Sequence, residues 1–544
     1  MARFARSDGG RLALVLFVAL ALRAYAWSQT AVLFNDGPIF LALAEAIGEG
    51  RWAEVLAHPY HPLYPGLIAL VSAFSVDRET AAVVVSIAGG LLSVAAVFWF
   101  VRDVFGRDVA WLAAWMVALH PWAVDFSSDV MSDGLYTGIF LLGFALMVRV
   151  VGRPTWKTAA ACGVVFGLAF LTRPEGAGLF LACLVLLSLR AIRLPESRRA
   201  ATVSGIALLV AGSIVLAPFV IFVSGLTGEF TVTQKKSLSR LIADPASPSV
   251  RAEKRLEGDR LRALVRGLPL PEQAIRADGR GASRPDRNLA GVVEAVVRVA
   301  QTSMSAFRWE LLLLALVGIF AARSNSRRDQ AAETERPDGG RRRGDQATAL
   351  VAAGYMGLLI LLVWGAGYVS RRHALPPWLP LLAYSALGVE FLWRSLAARF
   401  VNRDAPLLRR LQDSRVVCLV LVAALVLGWG ARDLRSRRDD RIPVRVAAEW
   451  LAENRKGTGP VAAQKLRVAY YAAARFVPLP AGHDGRIEDH LRRRGARWVV
   501  IDRAKLGDHL GLEEGMGQWL RVVHTTSARD KRIFVLSVEP KPAS

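Results

Sequence analysis

Apolar positions in this chain fall into long unbroken blocks rather than alternating or heptad patterns. The blocks approach the roughly 20 residues that a helix needs to cross a bilayer. Predicted spans lie at 12–27, 80–101, 109–124, 134–150, 158–172, 177–190, 201–224, 309–322, 348–366, 374–393 and 415–430, about eleven in all. The pattern therefore predicts an all-α polytopic membrane bundle over residues 1–430. The stretch 63–76, LYPGLIALVSAFSV, is short and follows a Pro-rich run, so it reads as an interfacial or re-entrant helix. Counting it as a span would invert every later segment.

Beyond residue 430 the pattern changes. PVAAQ, RWVVID, LRVVHTT and RIFVLSV read as strands. AAEWLAENRK, RVAYYAAA and RIEDHLRRRG read as helices, and their alternation with the strands predicts a soluble α/β domain over 431–544. The segment 323–346, SNSRRDQAAETERPDGGRRRGDQ at its heart, has no periodicity and reads as a disordered cytoplasmic linker.

Composition agrees with a lipid environment: 53% of residues are hydrophobic and mean hydropathy is +0.33. A net charge of +23 would suggest nucleic acid in a soluble protein, but here the excess sits in short connections between spans. With Arg3, Arg6 and Arg11 holding an uncleaved first span at the cytoplasm, the connections 102–108, 149–157, 190–199, 323–345 and 394–415 all fall inside, as the positive-inside rule requires. Outside then lie the first loop 28–79, a short connection near 125–133, a long loop 225–308 and the tail. ARDLRSRRDDR, just before the tail, is basic although it is predicted outside. The three cysteines, Cys162, Cys183 and Cys418, sit in apolar blocks without metal-ligand spacing.

Several polar residues sit at span ends. Asp36, in FNDGPIFLALAEAIGEG, precedes a helical pattern and reads either as its N-cap or as a carboxylate placed to take a proton from a hydroxyl. HPYHPLYPG carries His58 and His61 in a Pro-bent turn ahead of Tyr64; two histidines alone are a weak metal signal. Asp125, Asp129 and Asp133 are spaced so that one continuing helix would put all three on one face, calling for solvent, a cation or cationic side chains opposite. Asp133 opens an apolar block, where a charge is costly and points to function. Arg173 and Glu175, in FLTRPEGAG, form either a structural pair in an outer turn or part of a polar cavity. Arg371, Arg372 and His373 lie outside against the charge rule, which suits an anionic lipid phosphate; Lys235 and Lys236 are a second such place.

Together these segments resemble the GT-C superfamily of integral membrane glycosyltransferases. The nearest likeness is to glycosyltransferase family 39, which includes protein O-mannosyltransferases and the lipid A aminoarabinose transferase. The likeness covers roughly residues 10–400 and rests on order and spacing: DGPIFLALAEAIGEG, HPYHPLYP, SDGLY, FLTRPEGAG, GEFTVTQKKS and SRRHALPPWLP. Phe40 and His373 stand where tyrosines are common, and the spacing around His61 is altered.

What the resemblance implies is a membrane-embedded hexosyl- or pentosyltransferase of the cell envelope. It would move a sugar from a polyprenyl-phosphate donor to an acceptor hydroxyl of a protein, lipid or glycan, with inversion, outside a bacterial inner membrane. Asp36 would be the general base, with Asp133 orienting it or the acceptor. Arg372, Arg371 and Lys235 would hold the donor phosphate; His61, Tyr64, Asp129, Arg173, Glu175 and His373 would support the site. Relatives differ in metal use, so the aspartate face is also a candidate place for a divalent cation. The competing functions are a lipid or sugar transporter or flippase, which also needs many spans and buried charges, and a membrane-anchored binding protein acting through its tail.

Overall fold

The structure, a computed structural model, describes residues 8–234, 268–269, 285–286, 288–331, 339–400, 414–454, 459–480, 487–528 and 531–540. Helix α1 (Asp8–Ser28) is followed by three short helices, α2 (Gly37–Gly48), α3 (Trp52–Leu56) and α4 (Leu63–Ser72). Then come α5 (Arg78–Phe105), α6 (Arg107–Ala118), α7 (Pro121–Ser127), α8 (Ser132–Gly152), α9 (Trp156–Thr172), α10 (Ala177–Arg193) and α11 (Arg198–Thr227). Past the long loop the helices are α12 (Leu289–Phe307), α13 (Trp309–Ala331), α14 (Gly339–Ala366), α15 (Arg371–Trp378), α16 (Leu382–Phe400) and α17 (Ser414–Asp433).

Among the described residues, seven helical stretches are long and apolar enough to cross a bilayer. Two further pairs are apolar enough only when taken together and are bent at a short break, α6 with α7 by 59° and α12 with α13 by 89°, so each is a broken span or a re-entrant turn. The predicted spans 158–172 and 415–430 correspond to shorter apolar helices, Trp156–Thr172 and Val416–Gly430. The stretch read as interfacial is the ten-residue α4, well short of a crossing.

The bend between α6 and α7 has a clear cause. Pro121 has no N–H to continue α6, and the fully buried Arg23 of α1 donates to the carbonyl of Ala118, the last residue of α6, at 3.1 Å and to Ser127 Oγ at 2.8 Å. Both ends of the bundle are marked by ion pairs. At one end Arg11 meets Asp108 at 2.9 Å, Arg107 meets Asp8 at 2.5 Å and Arg149 meets Asp103 at 2.5 Å. The opposite end carries the charged groups described below. The predicted linker is not irregular throughout: α13 runs in to Ala331 and α14 starts at Gly339, as Ala, Gln and Arg are good helix formers.

The tail folds as predicted into a mixed domain. After helix α18 (Ile442–Asn454) come strand β1 (Val461–Ala463), helix α19 (Leu466–Tyr471), strand β2 (Phe476–Pro478), helix α20 (Ile487–Arg493), strand β3 (Trp498–Asp502), helix α21 (Leu510–Glu514) and strands β4 (Leu520–Ala528) and β5 (Lys531–Val538). The sheet order is β2-β1-β3-β5-β4, parallel from β2 to β3 and antiparallel from β3 onward. Successive side chains go to opposite faces. Ala462, Val499 and Leu536 meet Ile487 and Leu491 on one face, while Val461, Val500 and Val535 meet Ala447, Leu451 and Val468 on the other.

Candidate active site

Asp36 stands at the N-cap position of α2, but its side chain makes no capping hydrogen bond. Its carboxylate goes instead to Arg372, whose Nη1 lies 2.5 Å from Asp36 Oδ2. The two groups come from residues 336 positions apart. Arg372 sits in the first turn of α15, which follows a left-handed turn at Gly367 (φ 70°) and the extended Ser370. Of the two readings open for Asp36, capping is therefore excluded by where its oxygens point.

Asp133, in the first turn of α8, is 3% exposed and bonds to Arg173. Its other oxygen lies 4.0 Å from Arg372. Arg173 in turn has Glu175 at 3.6 Å and lies over the Tyr136 ring. The result is a continuous run of alternating charge, Asp36–Arg372–Asp133–Arg173–Glu175, largely withdrawn from solvent. Buried charges are tolerated only when paired in this way. Arg372 Nε is buried and has no hydrogen-bond partner among the described residues.

Tyr60 completes this cluster and was not singled out from the sequence. Phe40, one turn after Asp36, stacks on Tyr60 at 5.0 Å and meets Tyr64 edge-on at 4.9 Å. Burial and the neighbouring Asp36 carboxylate push the Tyr60 phenol well above its ordinary range, so it remains a hydroxyl. The available signal was its place between the two histidines of HPYHP.

The remaining predicted residues surround this centre or lie elsewhere. His61 bridges two segments, with Nδ1 2.5 Å from Phe170 O and Nε2 2.9 Å from Thr233 Oγ1. Tyr64 is fully buried and bonds Ala82 O and Ser86 Oγ, so it braces α4 against α5. His373 meets Ser370 Oγ at 3.0 Å. Arg371 is exposed, donates to Ser305 Oγ at 2.8 Å and lies over Trp122 at 4.4 Å. Lys235 and Lys236 lie outside the described residues.

One expectation is corrected outright. Asp125, Asp129 and Asp133 do not share a helix face, because α7 ends at Ser127 and α8 begins at Ser132. The Ser127 and Ser128 hydroxyls fold back onto the carbonyls of Ala123 and Val124, and Asp129 caps its own neighbour's N–H, which together favour a break. Asp133 thus joins the arginine run above. Asp125 and Asp129 face the basic segment before the tail: Arg437 reaches Asp125 at 3.1 Å and Ser128 at 2.6 Å, and Arg438 bonds Asp129. The cationic partner that the aspartates called for is that segment. Among the described residues, no group of three or more His, Cys, Asp or Glu side chains converges as a metal site.

The fold is thus a helical membrane bundle with a first loop of short helices that presents an aspartate, and a mixed domain after the last span. Solved membrane glycosyltransferases share this fold, and a family model matches part of the chain. Residues 57–223 match the family model for dolichyl-phosphate-mannose-protein mannosyltransferase, a stretch that includes His61, Asp133 and Arg173 but neither Asp36 nor Arg372. The fold is similar to that of the Archaeoglobus fulgidus oligosaccharyltransferase in the apo form, with a TM-score of 0.60, 14% identity and coverage of 92% of this chain and 70% of that one. It is similar to the A. fulgidus oligosaccharyltransferase AglB in complex with an inhibitory peptide and a dolichol-phosphate, at TM-score 0.58, 13% identity and the same coverage. It is also similar to ArnT from Cupriavidus metallidurans bound to undecaprenyl phosphate, at TM-score 0.57 and 15% identity, over 98% of this chain and 99% of that one. No curated protein matches the chain.

Proposed function

We propose that this protein transfers a sugar from a polyprenyl-phosphate donor to an acceptor hydroxyl, at the end of the bundle that carries Asp36. The observation that carries this reading is the Asp36–Arg372 pair at 2.5 Å, with Arg372 Nε left unpartnered beside it. A guanidinium with a free donor is suited to a phosphate oxygen. When a donor phosphate engages Arg372, Asp36 loses its partner and is free to take a proton.

The chemistry then follows as a single displacement. The acceptor O–H gives its proton to Asp36 while its oxygen attacks the anomeric carbon. The bond from that carbon to the phosphate oxygen breaks, and polyprenyl phosphate leaves with the electron pair. The configuration at the sugar inverts. Arg372 stabilises the charge growing on the departing phosphate, and a positioned base contributes about 10²–10⁴-fold. Asp133, itself held by Arg173, lies 4.0 Å from Arg372 and helps to hold it. Tyr60, kept as a phenol, can donate to a sugar or acceptor oxygen. In this reading the arginines supply the countercharge that a divalent cation would otherwise bring. In this reading the protein sits in a bacterial inner membrane with this end outside, which agrees with the basic connections predicted inside.

The test is transfer itself. Purified protein in vesicles is given radiolabelled polyprenyl-phosphate sugars and acceptor membranes, with and without a chelator. Label appearing in an acceptor in both conditions supports the reading. Donor movement across the vesicle wall without any labelled product would replace it with a flippase.

A further inference from the structure

The first loop does not hold its own shape. Between the end of α1 and Asp36 the chain makes no regular element, yet five backbone groups, at Gln29, Ala31 and Leu33, are held by the tail or by the segment before it. Arg437 N–H donates to Gln29 O at 2.9 Å, and Ala31 N–H donates to Arg437 O at 3.1 Å. Arg445 Nη1 donates to Ala31 O at 2.8 Å. At Leu33 both groups are taken: its N–H donates to Tyr471 Oη at 2.9 Å, and Arg467 Nη1 donates to its carbonyl at 3.1 Å.

Leu33 is 2% exposed and Arg467 is 5% exposed, so these bonds are shielded from water and costly to break. Only Phe34 and Asn35 separate Leu33 from Asp36, and Phe34 O accepts from Gly37 N–H in a closed turn. Phe34 lies beneath the guanidinium of Arg372 on one side and near that of Arg438 on another. The domain is itself pinned to the bundle, through Tyr470 Oη at 2.5 Å from Glu79 and through the Arg438–Asp129 pair.

We infer that Arg467 and Tyr471, on α19 of the C-terminal domain, are positioning residues for Asp36. They fix the register of the first loop so that the carboxylate meets Arg372 and the acceptor. This rests on the transferase reading above. It makes the tail part of the machinery for turnover rather than only a selector of acceptors. Misplacement of a reacting group by about 1 Å costs on the order of 10²-fold, so loss of one of two pins at Leu33 is expected to cost tens-fold in kcat.

The experiment uses the full chain. Arg467→Ala is expected to lower kcat by about 10- to 100-fold with donor KM within about twofold. Amide hydrogen exchange is expected to rise over residues 31–36 and to stay unchanged through the spans. Arg467→Lys, which keeps a donor near Leu33 O, is expected to recover part of kcat. If exchange rises through the whole chain, Tyr471→Phe decides. It removes only the acceptor for Leu33 N–H, and a smaller fall in kcat with exchange raised over 31–36 alone supports the inference.

Normal kcat in Arg467→Ala, or a change confined to KM, overturns the inference, as does a Tyr471→Phe variant identical to the parent. Asp36→Asn in the same assay separates the two readings. If it turns over normally, the base assignment fails whatever Arg467 does. If it is inactive while Arg467→Ala is normal, only the positioning role fails.

Discussion

At the residue scale, five charges in series share four contacts, and the energetics of burial set what each substitution does. Removing one partner of a buried pair leaves the other uncompensated, at a cost of about 3–5 kcal/mol. The side chains of Arg372 and Asp36 are 18% and 11% exposed, so little of that is screened. Arg372→Met is therefore expected to lower thermal stability in detergent by an amount of that order. Adding Asp36→Asn is expected to return part of it without returning transfer. His58 makes a different prediction. Its Nε2 faces Pro269 O at 3.0 Å and its Nδ1 accepts from Tyr60 N–H at 2.9 Å, which suits one neutral tautomer. Burial pushes its pKa down from 6.5 to about 4. The unfolded chain takes up that proton first, so stability is full above pH 6.5 and is lost as pH falls toward 4, by up to about 3 kcal/mol. A melting point that drops between neutral pH and about pH 4.5, and a flatter profile in His58→Gln, are the expected results.

At the element scale, the site depends on how closely α5 and α8 approach. A Cβ on Gly89 would meet Leu135 Cα at 2.4 Å and Gly134 O at 2.5 Å, and one on Gly138 would meet Gly89 O at 2.3 Å. The backbones touch through small residues, as membrane helices do when packing rather than hydrophobicity holds them. Asp133 sits in the first turn of α8, next to that contact. Gly89→Ala is expected to force the two helices apart at a cost of about 1–3 kcal/mol and to lower transfer by shifting Asp133 from Arg173. A melting curve and a transfer assay on this variant check both. The same scale shows where the sequence misled. Spacing alone put three aspartates on one face, because periodicity does not register the two serines that end α7 by bonding back to it. The spans, the short α4 and the strands of the tail were legible because apolar periodicity survives any tertiary context. Strand β2, only three residues long, left no such trace.

At the scale of the whole molecule, the chain brings residues from its first loop, the start of α8, the turn after α9 and the start of α15 to one end of the bundle. The meeting of Asp36 with Arg372 was readable from charge placement and family likeness. The neighbours that complete it were not. Tyr60 arrives through stacking on Phe40, and Arg437 and Arg438 looked like an exception to the charge rule until their carboxylate partners were seen. Ion pairs that form across hundreds of residues have no local signature in a sequence. The tail, which reads as a separate domain, proves to hold the loop that carries Asp36. The proposed function rests on one carboxylate taking one proton. The most direct test is the rate of sugar transfer from a labelled polyprenyl-phosphate donor by Asp36→Asn, with donor binding and melting point measured on the same sample. The account predicts a loss of about 10²–10⁴-fold in rate with donor still bound and the fold retained. Transfer at the parental rate would contradict it.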